Sequence, residues 1–238
     1  MLATTQGERP LVIVRDAWLL DLGRKGYREV WELQKTLVER RAEDRIPDGL
    51  ILVEHDPVAT LGRRGKREDV LDPGLEVFEV ERGGEATYHG PGQLVGYAIL
   101  KLPDRLEVKR LVTDLEEVLL RTCADFGIDA TREGPERGVW VGGKKIASIG
   151  LAVHRNVTFH GFAHNVSTDL PEFLKIRPCG HDGGIMTSME KCLGHPVDLE
   201  FVKASVIAHF QRVFGVTVRR VNVSELLPEP PARRPRRV

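Results

Sequence analysis

The sequence predicts an α+β fold in which a mixed or antiparallel central sheet is flanked by helices. Two observations carry that prediction. Short apolar or alternating runs outnumber the helical stretches, which are scattered among them. A glycine-rich segment, Arg82–Gln93, also stands between two such runs, as a loop between strands does.

In chain order, residues 1–9 read as disordered and Leu11–Val14 as a short strand. From Gly26 to Glu43, Tyr27, Val30, Trp31, Gln34, Leu37 and Val38 recur at helical spacing, which gives an amphipathic helix. Gly49–Glu54 is an apolar strand ended by His55-Asp56-Pro57. Leu75–Glu81 alternates as a strand into the glycine-rich segment, and Leu94–Leu102 leaves it as an apolar strand. Glu107–Phe126 is a second helix with Leu111, Leu115, Val118, Leu119, Thr122 and Phe126 on one face, stopped by Gly127.

Val139–Val153 reads as a hairpin turning at Gly142-Gly143, and Val157–Val166 as a further strand. Thr168-Asp169 is placed to cap a short helix. Asp198–Phe214 is a third helix, followed by a strand over Val216–Val221. The organisation expected is one domain over 10–225 and a Pro/Arg-rich, disordered tail over 226–238.

The 238 residues suffice for one well-filled core. Lys plus Arg and Asp plus Glu both number 35, so no global field steers the chain to nucleic acid or membrane. An acidic partner has to be met by a local patch, for which the run Arg63, Arg64, Lys66, Arg67 is the candidate. Three widely spaced cysteines without a CxxC fit neither a disulfide framework nor a zinc site. With no signal-peptide pattern and no apolar run of ~20 residues, a cytoplasmic location is expected.

Candidate chemistry begins at Arg82–Gln93 (RGGEATYHGPGQ), where four glycines, an Arg, a His and a Pro fall within twelve residues. Glycines let a ligand approach the main chain, and Arg82 and His89 offer polar groups there. Cys179, between Pro178 and Gly180, is the candidate nucleophile. A thiol with a reference pKa of about 8.5 needs a nearby cation to react at neutral pH. Lys144, Lys145, His89 and His160 are the candidates, and His181 with Asp182 is a lesser alternative. Cys123 sits on the apolar side of its helix and reads as core; nothing catalytic surrounds Cys192.

Four motifs in order, RGGEATYHGPGQ, GVWVGGKKIASIG, HGFAHNV and PCG, resemble the lipoyl(octanoyl) transferases of the biotin/lipoate protein ligase superfamily. The resemblance spans Leu50 to Cys192. It implies octanoyl transfer from acyl carrier protein to a specific lysine of lipoyl domains, those of 2-oxoacid dehydrogenases and the glycine cleavage H protein. It also implies a thioester on Cys179, a thiol pKa lowered by Lys145, and no cofactor or metal. The substrate pocket is then lined by Arg82, Gly83, Gly84, Glu85, Ala86, Thr87, Tyr88 and His89, with Ser148, Ile149, Gly150, Gly161, Phe162 and Ala163. Where the family usually has Leu this chain has His164, on Phe162's face of the strand. Rival expectations are an ATP-dependent ligase, an octanoyl amidotransferase, a binding module without catalysis, and a Cys-His hydrolase.

Overall fold

The structure, a computed structural model, describes residues 15–104, 107–178 and 183–228. The readings of 1–9 and of Leu11–Val14 therefore lie outside the described residues, as do Cys179, His181 and Asp182. The described strands are β1 (Arg15–Lys25), β2 (Gly49–His55), β3 (Val58–Leu61), β4 (Val77–Glu79), β5 (Ala86–His89), β6 (Gln93–Ile99), β7 (Gly138–Val141), β8 (Lys144–His154), β9 (Val157–Asn165) and β10 (Val216–Arg220). The helices are α1 (Tyr27–Ala42), α2 (Val108–Asp125), α3 (Met189–Leu193), α4 (Leu199–Phe214) and α5 (Val223–Leu226).

Seven strands form the main sheet in the order β10-β1-β2-β6-β9-β8-β7, parallel from β10 to β2 and antiparallel beyond. A smaller sheet, β4-β3-β5, carries the glycine-rich segment. The expected mixed sheet with flanking helices is the one observed. One face of the main sheet packs Leu50, Leu52 and Phe162 against Leu115, Leu119, Val202 and Phe210 of α2 and α4. The other packs Ile51, Val53 and Ile99 against Val30, Leu37 and Val38 of α1. Because β2 is buried on both faces, its sequence is a continuous apolar run rather than an alternating one.

Gly142 and Gly143 both have positive φ, 54° and 76°, as a tight hairpin turn requires. Gly127 (φ 73°) stops α2, and Gly215 (φ 61°) stops α4. Several expectations are corrected. The strand read over 75–81 is only Val77–Glu79. The glycine-rich segment is not all loop, since Ala86–His89 pairs with Val58–Leu61. Asp169 does precede a 3-10 helix over Leu170–Lys175, but its side chain makes no capping bond. The Thr168 hydroxyl donates instead to the Gly92 carbonyl. Leu226, read as the start of the tail, closes α5 and is buried.

Candidate active site

A cavity of about 700 Å³ opens between the glycine-rich segment, the β7–β8 hairpin and β9. Its wall includes Arg82 to Thr87 and His89, then Lys145 and Ser148 to Leu151, then His160 to Ala163. Pro178 and Met186, on either side of the segment that holds Cys179, also line it.

Lys145 owes its place to a β-bulge. Val139 pairs with Ala147 but Trp140 pairs with Lys145, so Ile146 is the extra residue. Such an insertion re-aims the neighbouring side chains. Lys145 is 5 % exposed, its Nζ lies 3.2 Å from Glu136 Oε2, and it stands 5.2 Å from the centre of the Trp140 ring. A buried ammonium requires such a partner. Gly138, at φ 138°, leaves the room: a Cβ there would come within 2.8 Å of Lys145 Cε. Buried Glu116 of α2 holds this strand by accepting from the Gly138 N–H at 3.0 Å and from Arg137 at 3.1 Å.

His89 is set by a chain of side-chain amides whose directions are forced. The carbonyls of Tyr88 and Thr187 can only accept, so Gln93 Nε2 donates to the first and Asn165 Nδ2 to the second. Asn165 Oδ1 then accepts from Gln93, and Gln93 Oε1 must accept from His89 Nδ1 at 2.7 Å. His89 is thereby the Nδ1–H tautomer, with Nε2 left as an acceptor. Burial, with His55 nearby, pushes its pKa down to about 3, so the ring is neutral. Thr187 closes the circuit by donating its N–H to the Lys145 carbonyl at 2.9 Å.

Arg82 does not point freely into the cavity. Its guanidinium donates to the Thr60 carbonyl at 2.7 Å and hydroxyl at 2.9 Å, and to the Gly83 carbonyl at 3.1 Å. This clamps the glycine-rich segment onto β3. Behind Tyr97, which lines the cavity, His55 donates from Nδ1 to the Lys25 carbonyl and accepts the Tyr97 hydroxyl at 2.7 Å. Burial lowers the His55 pKa to about 4. His160, at φ 58°, stands 3.4 Å from Glu81 Oε2, and that hydrogen bond holds the Glu81 carboxyl at about 2. Phe162 lays its ring over Gly96, where a Cβ would overlap it.

Residues 26–211 match the family described as the lipoyl protein ligase A/B catalytic domain. The chain is 44% identical over 209 residues to an octanoyltransferase of Alkaliphilus metalliredigens, covering 84% of this chain and 96% of that one. It is 45% identical over 207 residues to an octanoyltransferase of Syntrophotalea carbinolica, covering 87% and 98%. The chain belongs to the octanoyltransferases. In fold it resembles a lipoate-protein ligase A bound with ATP (TM-score 0.69, 18% identity, 90% and 92% of the two chains). It also resembles a bi-partite lipoate protein ligase of Thermoplasma acidophilum (TM-score 0.67, 18% identity, 90% of each).

Of the described residues expected to line the pocket in this octanoyltransferase-family chain, only Tyr88 stands apart from the cavity. Tyr88 packs its ring edge-on against Phe173, 5.4 Å between centres, in a separate apolar cluster. It faces away because neighbours along β5 alternate, so Thr87 and His89 take the cavity side. His164 is fully buried beside Leu94 and Ala147, outside the cavity wall, and neither ring nitrogen has a hydrogen-bond partner. Lys144 points outward and donates to the Gly184 carbonyl at 2.6 Å. Cys123 is wholly buried and its thiol is pushed up to about 12, while Cys192 is exposed.

Five contributors escaped sequence reasoning: Thr60, Glu136, Glu116, Gln93 and the bulge at Ile146. None carries a periodicity. Gln93 alone had a visible cue, as the last residue of the glycine-rich motif.

Proposed function

We propose that the chain moves an octanoyl group from acyl carrier protein to a specific lysine of lipoyl domains, through a thioester on Cys179 assisted by Lys145. The observation that carries this reading is the buried Lys145 ammonium, fixed by Glu136 in the wall of a cavity that Pro178, the residue before Cys179, also lines. An unpartnered thiol is a weak nucleophile at neutral pH, and a fixed cation nearby favours the thiolate. Val95, Ile149, Leu151 and Phe162 give the cavity apolar surface. Each methylene buried there is worth ~0.8 kcal/mol, enough over eight carbons to select a chain.

The thiolate attacks the carbonyl carbon of the donor thioester, and the donor's C–S bond breaks as the enzyme thioester forms. The departing sulfur takes a proton from the Lys145 ammonium, which leaves Lys145 a neutral amine able to accept the proton released in the second step. One thioester replaces another, so the step is nearly balanced and needs no ATP. The acceptor amine, once deprotonated, attacks the same carbon; the C–N bond forms, the bond to Cys179 breaks, and an amide results. His89, neutral with a pKa near 3, is too weak a base to store the amine's proton. Its free Nε2 orients a substrate N–H, and the proton passes by way of Lys145.

The test is transfer from octanoyl carrier protein to a lipoyl domain, read as a mass gain on the acceptor, with ATP withheld. Transfer under these conditions supports the reading. Modification only when ATP and free octanoate are supplied would make the chain a ligase.

A further inference from the structure

Resting on that transferase reading, we propose that Gln93 and Asn165 are positioning residues for the second half-reaction. Acting through His89, they orient the incoming lysine amine rather than assist the loading of Cys179.

His89, Gln93 and Asn165 are all buried and form one continuous chain of hydrogen bonds. Gln93 uses everything its amide offers. Its two N–H groups donate to the Tyr88 carbonyl and to Asn165, and its Oε1 accepts from His89. Asn165 carries the chain on to the Thr187 carbonyl at 3.0 Å, and the Thr187 N–H reaches the Lys145 carbonyl. A fully satisfied buried network of this kind is rigid. The plane of the His89 ring is fixed separately. Tyr27 of α1 stacks on it with 5.9 Å between centres, and His55 of β2 meets it edge-on. Plane and tautomer together leave Nε2 as the free ring nitrogen in the cavity wall.

The chain also joins the two places where the segment holding Cys179 enters and leaves the site. Pro178 pairs with Ala86, the first residue of the strand that ends at His89, and Met186 pairs with Lys145. His89 and Lys145 thus flank that segment at its two ends, and Gln93 and Asn165 tie the two ends together.

An attacking amine turns its lone pair to the thioester carbon, so its N–H groups point elsewhere and need an acceptor. Lys145 and Arg82 line the same cavity but can only donate. Of the carboxylates there, Glu136 is engaged by Lys145 and Glu85 faces Arg64 at 3.5 Å. Neutral His89 offers Nε2. The donor thioester carries no N–H on its reacting carbon or sulfur, so loading makes no such demand.

The experiment follows the two halves separately by intact-protein mass spectrometry. Growth of the octanoyl adduct from octanoyl carrier protein is timed first, then its loss from the isolated acyl-enzyme to a lipoyl domain. Native protein is compared with Gln93→Met, His89→Phe and the double variant. In Gln93→Met, loss to the lipoyl domain is expected to slow about tenfold more than adduct growth, the scale of a small misplacement of a reacting group. Hydroxylamine, a small nucleophile that needs no orientation by the wall, should discharge native and variant acyl-enzymes at similar rates. Because Gln93 acts through His89, the double variant should be no slower than His89→Phe. Equal slowing of both halves, equal slowing with hydroxylamine, or additive effects in the double variant overturns the proposal. If Gln93→Met gains no adduct, Asn165→Ala takes its place; failure of both to load where the native protein loads makes the amide chain structural, which also overturns it. A native protein that gains no adduct defeats the transferase reading instead, before the second half is reached.

Discussion

Lys145 Nζ and Glu136 Oε2 stand 3.2 Å apart in the cavity wall, with the lysine almost wholly buried. The two are nine residues apart in the chain and meet only because β7 and β8 fold back through the Gly142-Gly143 turn. The carboxylate fixes where the ammonium sits. Glu136→Gln is expected to lower kcat/KM by about tenfold to a hundredfold, the scale of a small misplacement of a reacting group. Glu136→Asp should recover part of it. Lys145→Met, which removes the cation, should cost more than either; equal activity of native and Glu136→Gln protein in a steady-state assay would show the pair to be structural only.

The Phe162 ring occupies the space above Gly96, and Phe162 also lines the cavity. Gly96→Ala forces the ring to move. Competition between hexanoyl and octanoyl donors should then shift toward the shorter chain, by about fourfold per methylene lost from the pocket. An unaltered ratio in a folded variant would mean that the acyl chain lies elsewhere.

His164 is buried with both ring nitrogens unpartnered, and burial holds its pKa at about 4, against 6.5 for a free histidine. Between those values the unfolded chain binds a proton that the folded chain refuses, so stability falls as pH drops from about 6.5 to about 4. That loss amounts to roughly 3 kcal/mol for this one group. His164→Leu is expected to flatten the acid side of the stability profile. It should also raise Tm at pH 7 by several degrees, because two unsatisfied polar atoms leave the core. A variant no more stable than native by thermal denaturation at pH 5 would contradict this.

The thiols should sort by environment. Iodoacetamide at pH 7 is expected to label exposed Cys192 and to leave Cys123 untouched until the protein unfolds, since the Cys123 thiol is pushed up to about 12 inside the core. Peptide mapping reads this directly. Labelling of Cys123 in the folded protein would mean that α2 opens.

Sequence pattern revealed elements whose burial is regular. Leu50–Val53 is apolar throughout because both faces are covered, and α2 repeats its apolar face over the whole helix. Arg15–Lys25 was missed because its pairing with β2 shifts register between Asp21 and Arg24, which breaks the period of two. The β5 strand was hidden by the glycines that flank it. At the site, Arg82, His89 and Lys145 were visible as residue types in a motif. Their partners were not, because Thr60, Gln93 and Glu136 reach them only through tertiary contact. Strand alternation puts His164 on Phe162's face but does not say whether it meets the cavity or the core; that depends on how β9 is buried, and only the folded structure answers it.

The measurement that bears most directly on the central claim is intact-protein mass spectrometry after mixing the chain with octanoyl carrier protein, without ATP, for native and Cys179→Ser forms. The native protein is expected to gain one octanoyl group, lose it when a lipoyl domain is added, and pass it to the domain's lysine; Cys179→Ser should gain nothing. No adduct on the native protein, or an equal adduct on Cys179→Ser, would contradict the thioester account.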